Sequence, residues 1–122
     1  MTQYMICIPG DETPWEQADA ETRQRVYQDY VRFAELLTER GHTILGGAEL
    51  THSREAVVVR GSLDEVTVTQ GPYAESVEQL TGYYLIETDD LDDLCRTAGI
   101  IAGPGGIEIR PCVADSNPEG RS

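Results

Sequence analysis

The sequence predicts an α+β domain in which one β-sheet carries two helices on a single face. Three observations carry that reading. Short β-rich runs alternate with two capped amphipathic helices, and a hairpin pattern separates the two strand–helix units. The length, 122 residues, suits one hydrophobic core and is too short for two.

Residues 3–8 (QYMICI) form an apolar run closed by Pro9 and Gly10, the pattern of a buried strand and a turn. Thr13, Pro14 and Glu16 then stand as N-cap, first helical residue and third helical residue of one short turn. Asp19 caps a longer helix. Val26, Tyr30, Phe33 and Leu37 recur along it at helical spacing, with Tyr27, Ala34 and Leu36 widening the stripe. Gly41 is its stop.

Residues 43–50 (TILGGAEL) read as a second strand, with Gly46 and Gly47 marking a bulge or a close backbone approach. Residues 56–60 and 65–69 are β-rich runs joined by Gly61-Ser62-Leu63-Asp64, a hairpin. Residues 70–80 are a polar connection with room for one helical turn, and residues 82–88 a strand apolar enough to sit centrally. Asp89 or Asp90 caps a helix over residues 91–98, where Asp92 and Asp93 favour the dipole and Gly99 ends it. Residues 107–110 form the last strand, and residues 114–122 read as a disordered polar tail after a domain of residues 1–113. This order predicts a ferredoxin-like βαββαβ-type sheet with an extra β-hairpin and both helices on one face. Covering the other face calls for a second copy, so a homodimer is expected.

Charge narrows the partners. Nine arginines and no lysine stand against 22 Asp and Glu, a formal net charge of −13. Such a surface repels a phosphate backbone and anionic lipid, so neither nucleic acid nor a membrane is an expected partner. With no apolar run of about 20 residues and no basic, apolar leader, a cytoplasmic protein is expected. Cys7, Cys95 and Cys112 show no metal-ligand spacing and read as small buried hydrophobes. No cofactor is implied, and two isolated His among scattered carboxylates offer no metal site. Gly103-Pro104-Gly105-Gly106 lacks the Lys-Ser/Thr of a phosphate loop, and Asp89, Asp90, Asp92 and Asp93 read as helix capping.

Gln70-Gly71-Pro72-Tyr73-Ala74-Glu75, continuing through Glu78-Gln79-Leu80 to Gly82-Tyr83-Tyr84-Leu85, resembles the D-G-P-F-x-E signature of the YCII-related (DGPF) family. Tyr4-Met5-Ile6-Cys7-Ile8, Gly46-Gly47 with Leu50, Leu91-Asp92 and Glu108-Ile109-Arg110-Pro111 match in the same order. The resemblance spans nearly the whole chain. It implies a dimeric α+β barrel with a pocket between sheet and helices. Relatives include isomerases and a dehydrochlorinase acting on ring compounds, and some members sit beside sigma factors. Two departures weaken an inherited acid–base mechanism: Gln70 replaces the signature aspartate, and the long helix has no His for the His–Asp pair of some relatives.

Candidate chemistry rests on few residues. Glu49, at a strand end beside the glycine irregularity, is a candidate acid–base group if partly buried with a raised pKa. His52 follows that strand and is a second candidate, with a solvated loop as its alternative. Tyr30 belongs to the core stripe but can reach a cavity with its hydroxyl. His42, after the helix stop, suits the helix C-terminal dipole better than a base role. Asp11 and Glu12 read as turn and helix-start residues. Tyr73 and Glu75 either line the pocket rim or make the turn, with Tyr73 as a core plug. Arg110 either binds an anionic ligand or pairs with a carboxylate. With the resemblance, these residues leave two readings: a small-molecule pocket with proton-transfer chemistry of isomerase or lyase type on a small cyclic or carbonyl compound, or, as the resemblance implies, a non-catalytic ligand-binding or regulatory dimer module associated with transcription-related partners.

Overall fold

The computed structural model of the protein describes residues 1–114, so the expected polar tail lies almost wholly outside the described residues. The chain runs β1 (Thr2–Asp11), α1 (Glu12–Gln17), α2 (Ala20–Glu39), β2 (Thr43–Glu49), a single 3-10 turn (Ser53–Glu55), β3 (Val57–Ser62), β4 (Glu65–Gln70), β5 (Glu78–Thr88), α3 (Leu91–Ala102) and β6 (Glu108–Pro111). Strands β2, β5, β1 and β6 form an antiparallel sheet in that order, and β3 pairs with β4 as a separate hairpin. Removing the hairpin leaves the ferredoxin-like order expected from the sequence. No helix among the described residues is long and apolar enough to cross a membrane.

Register explains which residues meet the helices. Ile6 lies opposite Tyr84 and Ile109, and Tyr4 opposite Ile86, so these side chains share one face of the sheet. Phe33 and Leu37 of α2 and Leu94 and Ala98 of α3 close over Ile6, Ile8 and Ile86 to form the core. Each large side chain buried there stabilises the fold by about 1.5–3 kcal/mol. Tyr27 departs from the expected core stripe: it is 44% exposed and stands outside the cluster that Phe33 and Leu37 of α2 form with α3 and the sheet.

The ends of the elements differ from expectation where local signals compete. Pro9 and Gly10 do not end β1. The strand passes them with a register shift and pairs Asp11 with Glu78, and proline is tolerated because β6 stops at Cys7 and leaves that edge free. Asp11, not Thr13, caps α1, its carboxylate accepting from the Thr13 N–H at 3.0 Å. Helix α3 runs through Gly99 to Ala102, since Ile100 and Ile101 still pack on the core and outweigh a glycine cost of about 1 kcal/mol. Asp19 caps α2 and Asp90 caps α3, as their positions in the sequence suggest.

The close of α2 places a histidine. Gly41, at φ 85°, donates to the Thr38 carbonyl and His42 to the Leu37 carbonyl, the paired bonds of a Schellman stop. This turn drives His42 inward beneath α3, where it is 4% exposed. The cysteines correct another expectation: Cys7 is half-buried, but Cys95 and Cys112 are exposed free thiols, because Cys95 lies on the solvent side of α3.

Candidate functional site

A cleft of about 670 Å³ opens between the sheet and the N-terminal half of α2. Two glycines keep its floor low. Gly47 and Gly82 lie on the helix-facing side of β2 and β5. A Cβ on Gly47 would stand 2.6 Å from the Tyr83 carbonyl oxygen, and one on Gly82 would stand 3.1 Å from that of Ala48. Only bare backbone fits that approach, and the strands therefore leave space where side chains would otherwise rise.

Helices α1 and α2 supply aromatic walls. Trp15 meets Tyr27 edge to face with ring centres 5.6 Å apart. Tyr30 stacks on Tyr84 at 6.4 Å, and Tyr84 in turn meets the edge of buried Phe33 at 5.3 Å. The Arg23 guanidinium lies 5.3 Å over the Trp15 ring and donates from Nη2 to the carbonyls of Trp15 and Glu16, tying α1 to α2.

The sequence-derived acid–base candidates converge here. Glu49, His52 and Tyr30 all line the cleft, carried by the end of β2, the loop after it and α2. Glu49 is more exposed than the partly buried carboxylate expected from the sequence, because β2 is an edge strand. Its fixed partner is a residue sequence reasoning had placed in the core: the Tyr27 hydroxyl donates to the carboxylate, 3.0 Å from one oxygen and 3.1 Å from the other. Burial pushes the Tyr30 hydroxyl above the ordinary phenol range, and the Glu49 charge adds to it. Desolvation and the bond to Glu49 raise Tyr27 in the same direction, and burial raises Tyr84. These phenols are therefore hydrogen-bond donors at neutral pH, with Glu49 the acceptor among them.

His52 is held by its own turn. Its Nδ1 accepts from the Arg54 N–H at 3.1 Å, which fixes the ring as cap of the 3-10 turn. Glu12 reaches across from α1 to the same turn, accepting from the Ser53 backbone and hydroxyl. Glu16 pairs with Arg54, which holds its carboxyl below the usual range. Thus Glu12, read from the sequence as a turn or helix-start residue, clamps the loop that carries His52.

The remaining candidates lie elsewhere. Glu75 borders a shallower groove that shares Asp11, Glu12 and His52 with the cleft. Tyr73, in contrast to a core plug, is 85% exposed, because the turn at Gly71 and Pro72 directs it outward. Arg110 is exposed on β6, opposite Met5 on the sheet face away from the helices, and lies outside the cleft. Gln70 has a positional use: its Nε2 donates to the Arg54 carbonyl at 3.4 Å, a bond an ionised aspartate could not donate.

Residues 2–100 match the YCII-related domain. The chain belongs to the YCII-related family. It is 34% identical over 113 residues to a protein of Rhizobium meliloti (strain 1021) described as uncharacterised, a match covering 88% of this chain and 90% of that one. Within this YCII-related chain the segment from Gly71 to Glu75 leads from the hairpin towards β5, beside the groove that adjoins the cleft.

Proposed function

We propose that this YCII-related protein binds a small organic molecule in the cleft between α1, α2 and the sheet, and that Glu49 can exchange a proton with it. The Tyr27–Glu49 pair carries this reading: a carboxylate oriented by a phenol at the edge of a concave, aromatic-walled space. A volume near 670 Å³ falls within the range of about 300–1,000 Å³ typical of small-molecule sites. For a cyclic or carbonyl compound, Glu49 takes a proton from the carbon beside the carbonyl. A tyrosine hydroxyl, Tyr30 being the deeper one, hydrogen-bonds the oxygen on which charge gathers. Where the compound carries a β,γ double bond, the dienolate takes the proton back at the γ-carbon as the double bond moves into conjugation, which completes an isomerisation.

The test is solvent exchange. Small cyclic ketones incubated with the protein in deuterium oxide should lose α-proton NMR signal faster than in buffer. Glu49→Gln should cut the excess rate by about 10²–10⁴-fold, the usual contribution of a positioned base, while leaving the fold intact. Excess exchange that survives in Glu49→Gln would remove Glu49 from the mechanism. The exposure of Glu49 and the absence of the signature aspartate favour a second reading, a binding or regulatory module without turnover. That reading predicts ligand binding with no excess exchange at all.

The homodimer belongs to the same proposal. Met5, Cys7, Tyr83 and Leu85 share the sheet face opposite the core, and none of them is fully buried. An apolar sheet face is stabilised when a second copy covers it. Sedimentation should report a dimer that Leu85→Arg converts to a monomer. A monomeric wild type at micromolar and higher concentration overturns this part.

A further inference from the structure

The charge of the cleft is one-sided. Asp11, Glu12, Glu16, Glu49 and Glu55 line it, against Arg23 as the guanidinium among its lining residues. Most of these groups are already engaged. Asp11 caps α1, Glu12 accepts from Ser53, and Glu16 pairs with Arg54. Glu49 is engaged by a single side-chain hydroxyl, at the edge of the aromatic wall. Among the described residues no cationic group lies within 4 Å of its carboxylate. An ionised carboxylate offers about four lone-pair sites, and one hydroxyl proton leaves most of that capacity unused.

Arg23 does not supply the opposite preference. Its Nη2 is spent on two carbonyls, its Cζ lies 5.3 Å from the centre of the Trp15 ring, and its Nε, though without a hydrogen-bond partner, has no surface open to solvent. Meanwhile the π-faces of the tyrosine wall carry negative potential, which attracts a cation and repels an anion. A net charge of −13 adds a long-range field of the same sign.

We propose that the cleft selects a small organic cation: an amine whose ammonium pairs with Glu49 and whose apolar body lies against Tyr30 and Tyr84. This rests on the reading of the cleft as a ligand site and adds the charge of the ligand. Carboxylates and phosphates of the same size are excluded by the same groups.

Three probes that share one ring and differ in charge separate the two ideas. Benzylamine, benzyl alcohol and benzoate are titrated into the ¹⁵N-labelled protein at neutral pH and moderate salt. Benzylamine should shift the resonances of Tyr27, Tyr30 and Glu49 with an affinity at least about tenfold tighter than benzyl alcohol, the gain typical of one ion pair in a partly desolvated site. Benzoate should leave them unmoved. Glu49→Gln should abolish the preference for the amine over the alcohol. Equal binding of amine and alcohol at these residues overturns the cation proposal and leaves the ligand site standing. Preference for benzoate overturns it in favour of Arg23 as anchor. Amine shifts spread over surface carboxylates and indifferent to Glu49→Gln also overturn it. No shift at the cleft with any probe overturns both readings.

Discussion

His42→Ala is expected to destabilise the protein by about 3 kcal/mol, the usual cost of breaking a buried hydrogen-bond network and leaving its partners unpaired. The ring is wedged between two elements. Its Nε2 lies 2.8 Å from Asp93 Oδ2 on α3, and its Nδ1 lies 2.7 Å from Thr88 Oγ1 at the end of β5. Because a carboxylate only accepts, Nε2 carries the proton, and in the neutral ring Nδ1 accepts from the threonine hydroxyl. Thr88, 2% exposed, accepts in turn from the Asp90 N–H, and Arg40 joins the cluster through Thr97. Alanine would leave Thr88 and Asp93 without these bonds beside a cavity. Urea unfolding reads the loss directly, and a change below about 1 kcal/mol would show that water replaces the ring without cost.

The same cluster predicts an acid-side dependence. The hydrogen bond from His42, with Arg40 nearby, holds the Asp93 carboxyl below its ordinary range. A depressed folded value means that ionised Asp93 stabilises the fold above its unfolded pKa, near 3.8, and that this share disappears as pH falls through the folded value. The share of the stability difference between wild type and Asp93→Asn that comes from this carboxylate should therefore shrink as pH falls below about 4. A difference that instead grows towards acid would reverse the assigned sign.

Elements whose signals are local were legible in the sequence, and groups joined across the fold were not. Asp19, Asp90, Gly41 and the Gly46–Gly47 irregularity act on backbone within a few residues, so their chemistry reads directly. The helix start was ambiguous because Asp11 and Thr13 both offer a capping oxygen, and the register of β1 against β5 decides between them. Glu49 and His52 were visible as polar residues near a strand end. Tyr27 was not visible as the partner of Glu49, because its apolar ring fits the helical stripe and its hydroxyl meets Glu49 only after α2 crosses β2. The pairings Glu12–Ser53 and His42–Asp93 likewise span 41 and 51 residues, and no spacing rule connects such positions. Asp93 read as a capping charge, which it also is in part, lying in the first turn of α3.

Phe33→Ala should have the largest effect on the fold, a loss of about 3–5 kcal/mol, and its milder relative Phe33→Leu should show how the core supports the cleft. Phe33 has no exposed surface and fills the space between α2 and the sheet. Its ring also braces Tyr84, which stacks against Tyr30, so one aromatic ladder runs from the centre of the core to the cleft wall. Leucine occupies a similar volume and should cost about 1.5 kcal/mol or less, yet it removes the flat edge that fixes the Tyr84 ring. Affinity for any cleft ligand should then fall several-fold in Phe33→Leu while thermal unfolding remains cooperative. The reason is entropic: a loosened Tyr84 must be ordered again on binding. Equal affinity in wild type and Phe33→Leu would mean that Tyr30 and Tyr84 hold each other in place without the core. The cleft wall would then be a unit separate from the fold that carries it.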